Sequence, residues 1–275
     1  MPGKPANGSK CMKTIATIEA RRTSTRLPGK VLQEIAGKPM LQLLIERIKE
    51  ARRVEEVVVA TTVNEQNDEI EELAHSLGAG CYRGSEDDVL ARILEAAQAY
   101  KADLIVELTG DNPLVDPVLV DGMVEFYLSE DYDYVANTQM RHSLNWKEET
   151  AFPIGTSVQV FSTELLDRVS KMTTDPVDRE HVTFFIYEHP ELFKLGAFPA
   201  EGKFSACRRP EIRLTVDFPE DLDFVRKIFE GLYCDNPEFT LVDVIQFLDK
   251  NPYLKEINAG VIQKRAFEQK AEQEI

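Results

Sequence analysis

Short apolar, β-branched runs alternate along the first half of the chain with segments whose apolar positions repeat every three to four residues. Residues 14–18 (TIATI), 56–60 (EVVVA) and 103–108 (DLIVEL) read as buried strands. Residues 39–52 place Met40, Leu43, Leu44, Ile48 and Ala51 on one helical face, behind a proline suited to a helix start. Further helices are expected over 65–77, where Gly78 ends the pattern, and over 89–100 and 116–128. Strands separated by helices of this length predict βαβ units and a mainly parallel sheet flanked by helices, an α/β fold of Rossmann-like type.

From residue 133 the rhythm loosens. Strands are expected over 134–137, 157–161, 193–198 and 211–216, a helix over 180–188, and two closing helices over 219–232 and 240–250. The irregular excursion at 138–200 holds the only tryptophan, Trp146, with Phe152, Phe184, Phe185 and Tyr187. A long excursion rich in aromatics suggests an arm or lid that builds a homodimer, or aromatics that finish the chain's own core. Residues 1–12 read as a flexible leader, 13–255 as one domain and 256–275 as a charged tail.

Composition narrows the partners. The 275 residues carry 32 Lys and Arg against 48 Asp and Glu, a formal net charge of −16, which argues against a general nucleic-acid or anionic-membrane binder. No apolar stretch approaches the roughly 20 residues of a membrane span. Four scattered cysteines, Cys11, Cys81, Cys207 and Cys234, form no CxxC pair and suit a reducing cytoplasm.

Against that acidic background the loop after the first strand stands out. Arg21, Arg22, Arg26 and Lys30 fall within ten residues, with no acid between Ala20 and Gln33. A loop leaving the carboxyl end of a parallel strand is where such sheets bind ligands, and clustered cations beside Thr23, Ser24 and Thr25 suit a polyphosphate. The plainer alternative is a solvated basic loop. No GxGxxG is present, and Gly3 to Lys10 only superficially resembles a P-loop, with Ser9 at the lysine position and no strand before it. His181 and His189 lack a third ligand at zinc spacing.

Two aspartates, Asp111 in Thr109-Gly-Asp-Asn-Pro113 and Asp217 in Arg213-Leu-Thr-Val-Asp217, each follow an expected strand. Each alone suits a turn or a helix cap; together with the basic loop they suit Mg²⁺ on a nucleoside triphosphate.

These segments resemble the cytidylyltransferases that make CMP-sugars, above all the spore-coat polysaccharide type, with the CMP-KDO and CMP-sialic acid synthetases. The resemblance rests on Ser24-Thr-Arg-Leu-Pro-Gly-Lys30, Gly37-Lys-Pro-Met40, Arg83-Gly-Ser-Glu-Asp-Asp-Val-Leu90, Thr109-Gly-Asp-Asn-Pro113, Arg179-Glu-His-Val182 and Arg213-Leu-Thr-Val-Asp217. It implies a nucleotide-diphospho-sugar transferase fold, a cytoplasmic and commonly dimeric enzyme, and Mg²⁺-dependent transfer of CMP from CTP to an anionic acceptor, a 3-deoxy-2-ulosonic acid. Other acceptors it leaves open are a sugar phosphate or a small phosphate or phosphonate; a non-catalytic nucleotide-binding regulator is the rival from another class. It implies a nucleotide site of Ala20, Arg21, Ser24, Thr25, Arg26, Lys30, Thr61, Ser85 and Asp111. Metal would be held by Asp111 and Asp217, with Arg21 and Lys30 joining them in catalysis, and the acceptor met by Gly155, Arg179, Glu180 and His181. The chain departs from the pattern at Glu19, where relatives usually have Gln, and at Phe152-Pro-Ile-Gly-Thr156, where an arginine is missing.

Overall fold

Strand β1 (Thr14–Glu19) is apolar on both faces, with Ile15, Ala16 and Ile18 wholly buried, and so takes the middle of a sheet covered on both sides. The computed structural model describes residues 12–24, 26–137 and 152–262. Within them β1 is followed by a small antiparallel hairpin, β2 (Glu34–Ile35) and β3 (Lys38–Pro39), then α1 (Met40–Lys49), β4 (Glu56–Thr62), α2 (Asp68–Ser76), β5 (Gly80–Gly84) and α3 (Val89–Ala99). Next come β6 (Leu104–Thr109), α4 (Pro117–Ser129), β7 (Tyr134–Ala136), β8 (Gln159–Ser162), α5 (Thr163–Ser170), α6 (Pro176–Glu180) and α7 (Phe184–Glu188). Strand β9 (Leu195–Ala197), α8 (Pro219–Leu232) and α9 (Leu241–Lys250) follow.

Seven strands form the main sheet in the order β5-β4-β1-β6-β8-β7-β9. Strands β5, β4, β1 and β6 are parallel, β8 runs antiparallel to both β6 and β7, and β9 is parallel to β7. Alternate residues of β1 serve two core layers: Ala16 and Ile18 pack on the side of α1, α4 and α8, and Ile15 on the side of α3 and α5. The chain steps from β1 to β4 and β5 on one side, then returns to β6 on the other. The switch point therefore lies at the carboxyl ends of β1 and β6, where Glu19 pairs in register with both Ala60 and Thr109. Among the described residues no helix is long and apolar enough to cross a membrane.

The α/β expectation holds, with local corrections. The helix expected over 180–188 is two short helices, because the chain turns at His181–Thr183 and Val182 takes a φ of 39°. The strand expected over 211–216 reduces to one isolated bridge between Ile154 and Arg213, outside the seven-stranded sheet. Strand β5 and helix α5 went unread. The first is a half-buried edge strand bounded by glycines; the second is a single amphipathic stretch begun by the Ser162 side chain, which accepts from Leu165 N at 3.0 Å. Within the excursion, residues 152–200 are woven into the sheet through β8 and β9, and Phe152 and Phe184 are buried. Trp146 and the rest of 138–151 lie outside the described residues.

Candidate active site

Two loops meet at the switch point because one residue there has no side chain. Gly110 N donates to Glu19 O at 2.7 Å, and a Cβ on Gly110 would sit 2.6 Å from that oxygen. A larger residue would push the β6 loop off the end of β1. A third segment joins them where Val216 N donates to Asp111 O at 2.9 Å.

Lys30 sits at the meeting point. Its Nζ donates to Asp111 Oδ2 at 2.8 Å, to Val216 O at 2.9 Å and to Asp217 Oδ1 at 3.0 Å. The Arg26 guanidinium donates to the same Asp217 oxygen at 2.7 Å and lies over the Phe218 ring. Asp217 Oδ2 accepts from Arg213 at 2.9 Å, so its charge is shared by three cations. Its side chain is 5% exposed, against 24% for Asp111 and 12% for Lys30. Burial by itself would raise the Asp217 carboxyl, but Lys30 and Arg26 outweigh it and hold the group below the ordinary carboxylate value. Burial likewise works against the Lys30 charge, and Asp111 with Asp217 more than restores it, so Lys30 is raised.

The carboxylates are anchored from behind. Asp221, wholly buried, accepts from Arg213 Nε at 2.9 Å and from the backbone N–H groups of Asp217 and Phe218 at 3.0 and 3.1 Å. Asn258 Nδ2 donates to Asp221 at 3.0 Å. Thr109 Oγ1 donates to Asp111 Oδ1 at 2.6 Å and accepts from Asn112 at 2.7 Å. Two hard carboxylates converging on one cation form a donor set that suits Mg²⁺, which needs few protein ligands when phosphates and water supply the rest.

The other expected nucleotide residues spread over the opposite wall. Arg21 faces the loop before α3, its guanidinium 3.5 Å from Glu86 O and 3.9 Å from the Glu86 carboxylate. Ser24 Oγ accepts from Leu27 N at 3.4 Å within the basic loop, and buried Ala20 donates to Ala60 O. Ser85 Oγ accepts from Asp88 N at 3.0 Å. Thr61 is wholly buried, its hydroxyl without a partner among the described residues, and Thr25 lies outside them. Of the expected acceptor residues, Arg179 grips Asp88 with a bidentate pair and donates to Ser170 O at 2.9 Å, tethering α6 to the start of α3. An acceptor reaching Arg179 has to displace Asp88. Glu180 is exposed and His181 half-buried at the turn after α6. Gly155, with φ 91°, packs on the backbone of Leu214 and Thr215, where a Cβ would lie 2.1 Å from Thr215 N.

Four residues escaped the sequence reading. Arg213 and Asp221 carried a signal, since Arg213, Asp217 and Asp221 follow at four-residue spacing. Glu86 accepts from Thr23 Oγ1 at 2.6 Å and from Asn64. Glu107 is 2% exposed; burial, then the Glu19 charge, pushes its carboxyl well above the ordinary value. An acid in the middle of the apolar run over 103–108 was the available sign.

Comparison with known proteins shows the family and the fold. The family described as cytidylyltransferase matches residues 15–270. The chain is 32% identical to the spore coat polysaccharide biosynthesis protein SpsF of Bacillus subtilis, across 86% of this chain and 93% of that one. It is 42% identical to the 3-deoxy-manno-octulosonate cytidylyltransferase of Geobacter sulfurreducens over 112 residues, 40% of this chain and 43% of the other. The structure of a cytidylyltransferase from Leptospira borgpetersenii superposes with a TM-score of 0.81 at 32% identity, covering 92% of this chain and all of that one.

Proposed function

Since the chain belongs to the cytidylyltransferase family, we propose that it transfers CMP from CTP to a hydroxyl of an acidic sugar of the 3-deoxy-2-ulosonic type, releasing pyrophosphate. The observation that carries this reading is the Lys30 ammonium held between Asp111 and Asp217 at the switch point, with Arg26 on the same Asp217 oxygen. The acidic sugar is supported by the likeness to the 3-deoxy-manno-octulosonate cytidylyltransferase of Geobacter sulfurreducens.

In this reading the ion pairs are the resting arrangement. An arriving triphosphate offers Lys30 and Arg26 a stronger anion than the carboxylates they hold, and both side chains turn to its phosphate oxygens. Asp111 and Asp217 are then free to hold Mg²⁺, which when bound offsets the negative charge on the phosphates. Asp221 and Asn258, through Arg213, keep Asp217 in place during the exchange. Arg21 grips the nucleotide from the Glu86 side. The acceptor hydroxyl oxygen attacks the α-phosphorus in line and gives up its proton to solvent, the bond from that phosphorus to the α–β bridging oxygen breaks, and Lys30 with Arg26 stabilises the charge gathering on pyrophosphate.

Asp111→Asn and Asp217→Asn each remove an anionic ligand while keeping shape, and each is expected to abolish pyrophosphate release at saturating Mg²⁺. Near-normal turnover by either variant contradicts the assignment.

A further inference from the structure

The basic loop is held differently at its two ends. Arg26 and Lys30 rest on Asp111 and Asp217, contacts that a triphosphate takes over in the reading above. Arg21 to Thr23 are fastened instead to polar groups after β4 and before α3, which that reading leaves in place. Glu86, in the loop before α3, is the centre of this fastening. Its Oε1 accepts from Thr23 Oγ1 at 2.6 Å and its Oε2 from Asn64 Nδ2.

The groups that hold Glu86 are themselves fixed. Asn64 N donates to Thr62 Oγ1 at 3.4 Å, and Asn64 O accepts from Arg83 at 2.8 Å. Wholly buried Asn67 accepts from Arg22 N at 2.9 Å and donates to Thr62 Oγ1 at 2.6 Å, a second fastening of the same stretch. From α3, buried Arg92 reaches back to the carbonyls of Ser85 and Glu86, the latter at 3.4 Å. The Glu86 carbonyl also accepts from Arg21 at 3.5 Å. One residue thus joins the loop after β1, the loop after β4 and the start of α3.

We propose that Glu86 is a positioning residue for Arg21: its bonds to Thr23 and Asn64 fix the backbone of Arg21–Thr23, so that the Arg21 guanidinium already stands at the nucleotide wall when CTP arrives. This rests on the cytidylyl-transfer reading above. The role is carried by the hydrogen bonds rather than the charge. The Arg21–Glu86 ion pair, at 3.9 Å between half-buried groups, contributes little, and a carboxylate close to phosphates repels them. The gain is pre-organisation, since a loop fixed beforehand loses less freedom on binding. Glutamine preserves the device: its oxygen accepts from Thr23, and its amide donates to Asn64 once the Asn64 amide turns over. Alanine keeps the backbone carbonyl and loses both side-chain bonds.

The test is CTP affinity by calorimetry in the presence of Mg²⁺, with thermal unfolding of each variant as the control for folding. Glu86→Ala is expected to raise the CTP Kd about 10-fold, the cost of ordering a loop side chain that was fixed before. Glu86→Gln is expected to stay within about threefold of the wild type, because both bonds survive. Since Glu86 acts through Arg21, Glu86→Ala made in an Arg21→Ala background adds less than about twofold, a non-additivity that a general loss of stability does not produce. A CTP Kd that is unchanged or tighter in Glu86→Ala, whatever happens to the unfolding temperature, overturns the inference and leaves the transfer reading standing. So does a Glu86→Gln as weak as Glu86→Ala, or a full loss repeated in the Arg21→Ala background. If Glu86→Ala fails to fold, Asn64→Ala, which removes one of the two bonds, decides by the same cycle. No CTP binding by the wild type overturns the transfer reading, and this inference with it.

Discussion

Lys30 and Asp217 stand 187 positions apart in the chain and are joined by a hydrogen bond of 3.0 Å. In the proposed reaction that contact would store the cation a triphosphate needs against the carboxylate a divalent metal needs. It also draws together the loop after β1 and the segment entering α8, which no regular strand pairing connects.

Lys30→Ala and Arg26→Ala are expected to weaken CTP binding far more than CMP binding. A charge-assisted bond to phosphate is worth about 1.5–3 kcal/mol, roughly 10- to 100-fold in Kd, and CMP lacks the β- and γ-phosphates. Calorimetric titration of both nucleotides in the presence of Mg²⁺ reads the difference. Equal losses for CTP and CMP contradict a grip on the outer phosphates.

Asp221→Ala is expected to destabilise the protein by about 3–5 kcal/mol, the cost of breaking a buried ion pair by removing one partner. It takes one of the carboxylates from buried Arg213 and removes the acceptor for two backbone N–H groups. Urea unfolding with an unchanged slope and a lower midpoint checks it; an unchanged midpoint would show that Asn258 and Asp217 suffice.

Gly155→Ala adds a methyl where the backbone of Thr215 already stands, at a φ that alanine resists. Overpacking of this kind costs about 1–3 kcal/mol. Because Leu214 N donates to Ile154 O beside it, the strain reaches Asp217, and thermal unfolding together with CTP affinity is expected to fall in the same variant.

Three strands of the parallel half, β1, β4 and β6, were legible because they are buried on both faces and therefore read as uninterrupted apolar runs. Helices α1, α3 and α4 carried their own period and starts. The basic loop and both aspartates were legible because an acidic chain makes clustered cations conspicuous. What the residues could not disclose is how charges pair in space. Arg179 is held by Asp88, 91 positions away, and Gly155 owes its place to backbone contact with 214–215. The Glu19–Glu107 pair depends on two adjacent parallel strands staying in register, a relation that sequence spacing does not express.

Stability is expected to respond to pH through that pair. The Glu107 carboxyl lies well above its ordinary value of 4.5, first from burial and then from Glu19, so the folded state binds a proton that the unfolded chain releases. Its contribution is therefore complete below 4.5 and is lost as pH rises through the raised folded value. Glu107→Gln needs no such proton. Its unfolding free energy is expected to fall less than that of the wild type between pH 5 and 8 in parallel chemical denaturation; parallel slopes would mean that Glu107 titrates as an ordinary acid.

The most direct test of the central claim is pyrophosphate release from each of the four nucleoside triphosphates, with Mg²⁺ and 3-deoxy-manno-octulosonate, N-acetylneuraminate or ribitol 5-phosphate as acceptor. Release is expected with CTP above the other three, strictly dependent on the acceptor, strongest with a sugar acid and absent in Asp217→Asn. Release that ignores the base, proceeds without an acceptor or survives in Asp217→Asn would contradict it.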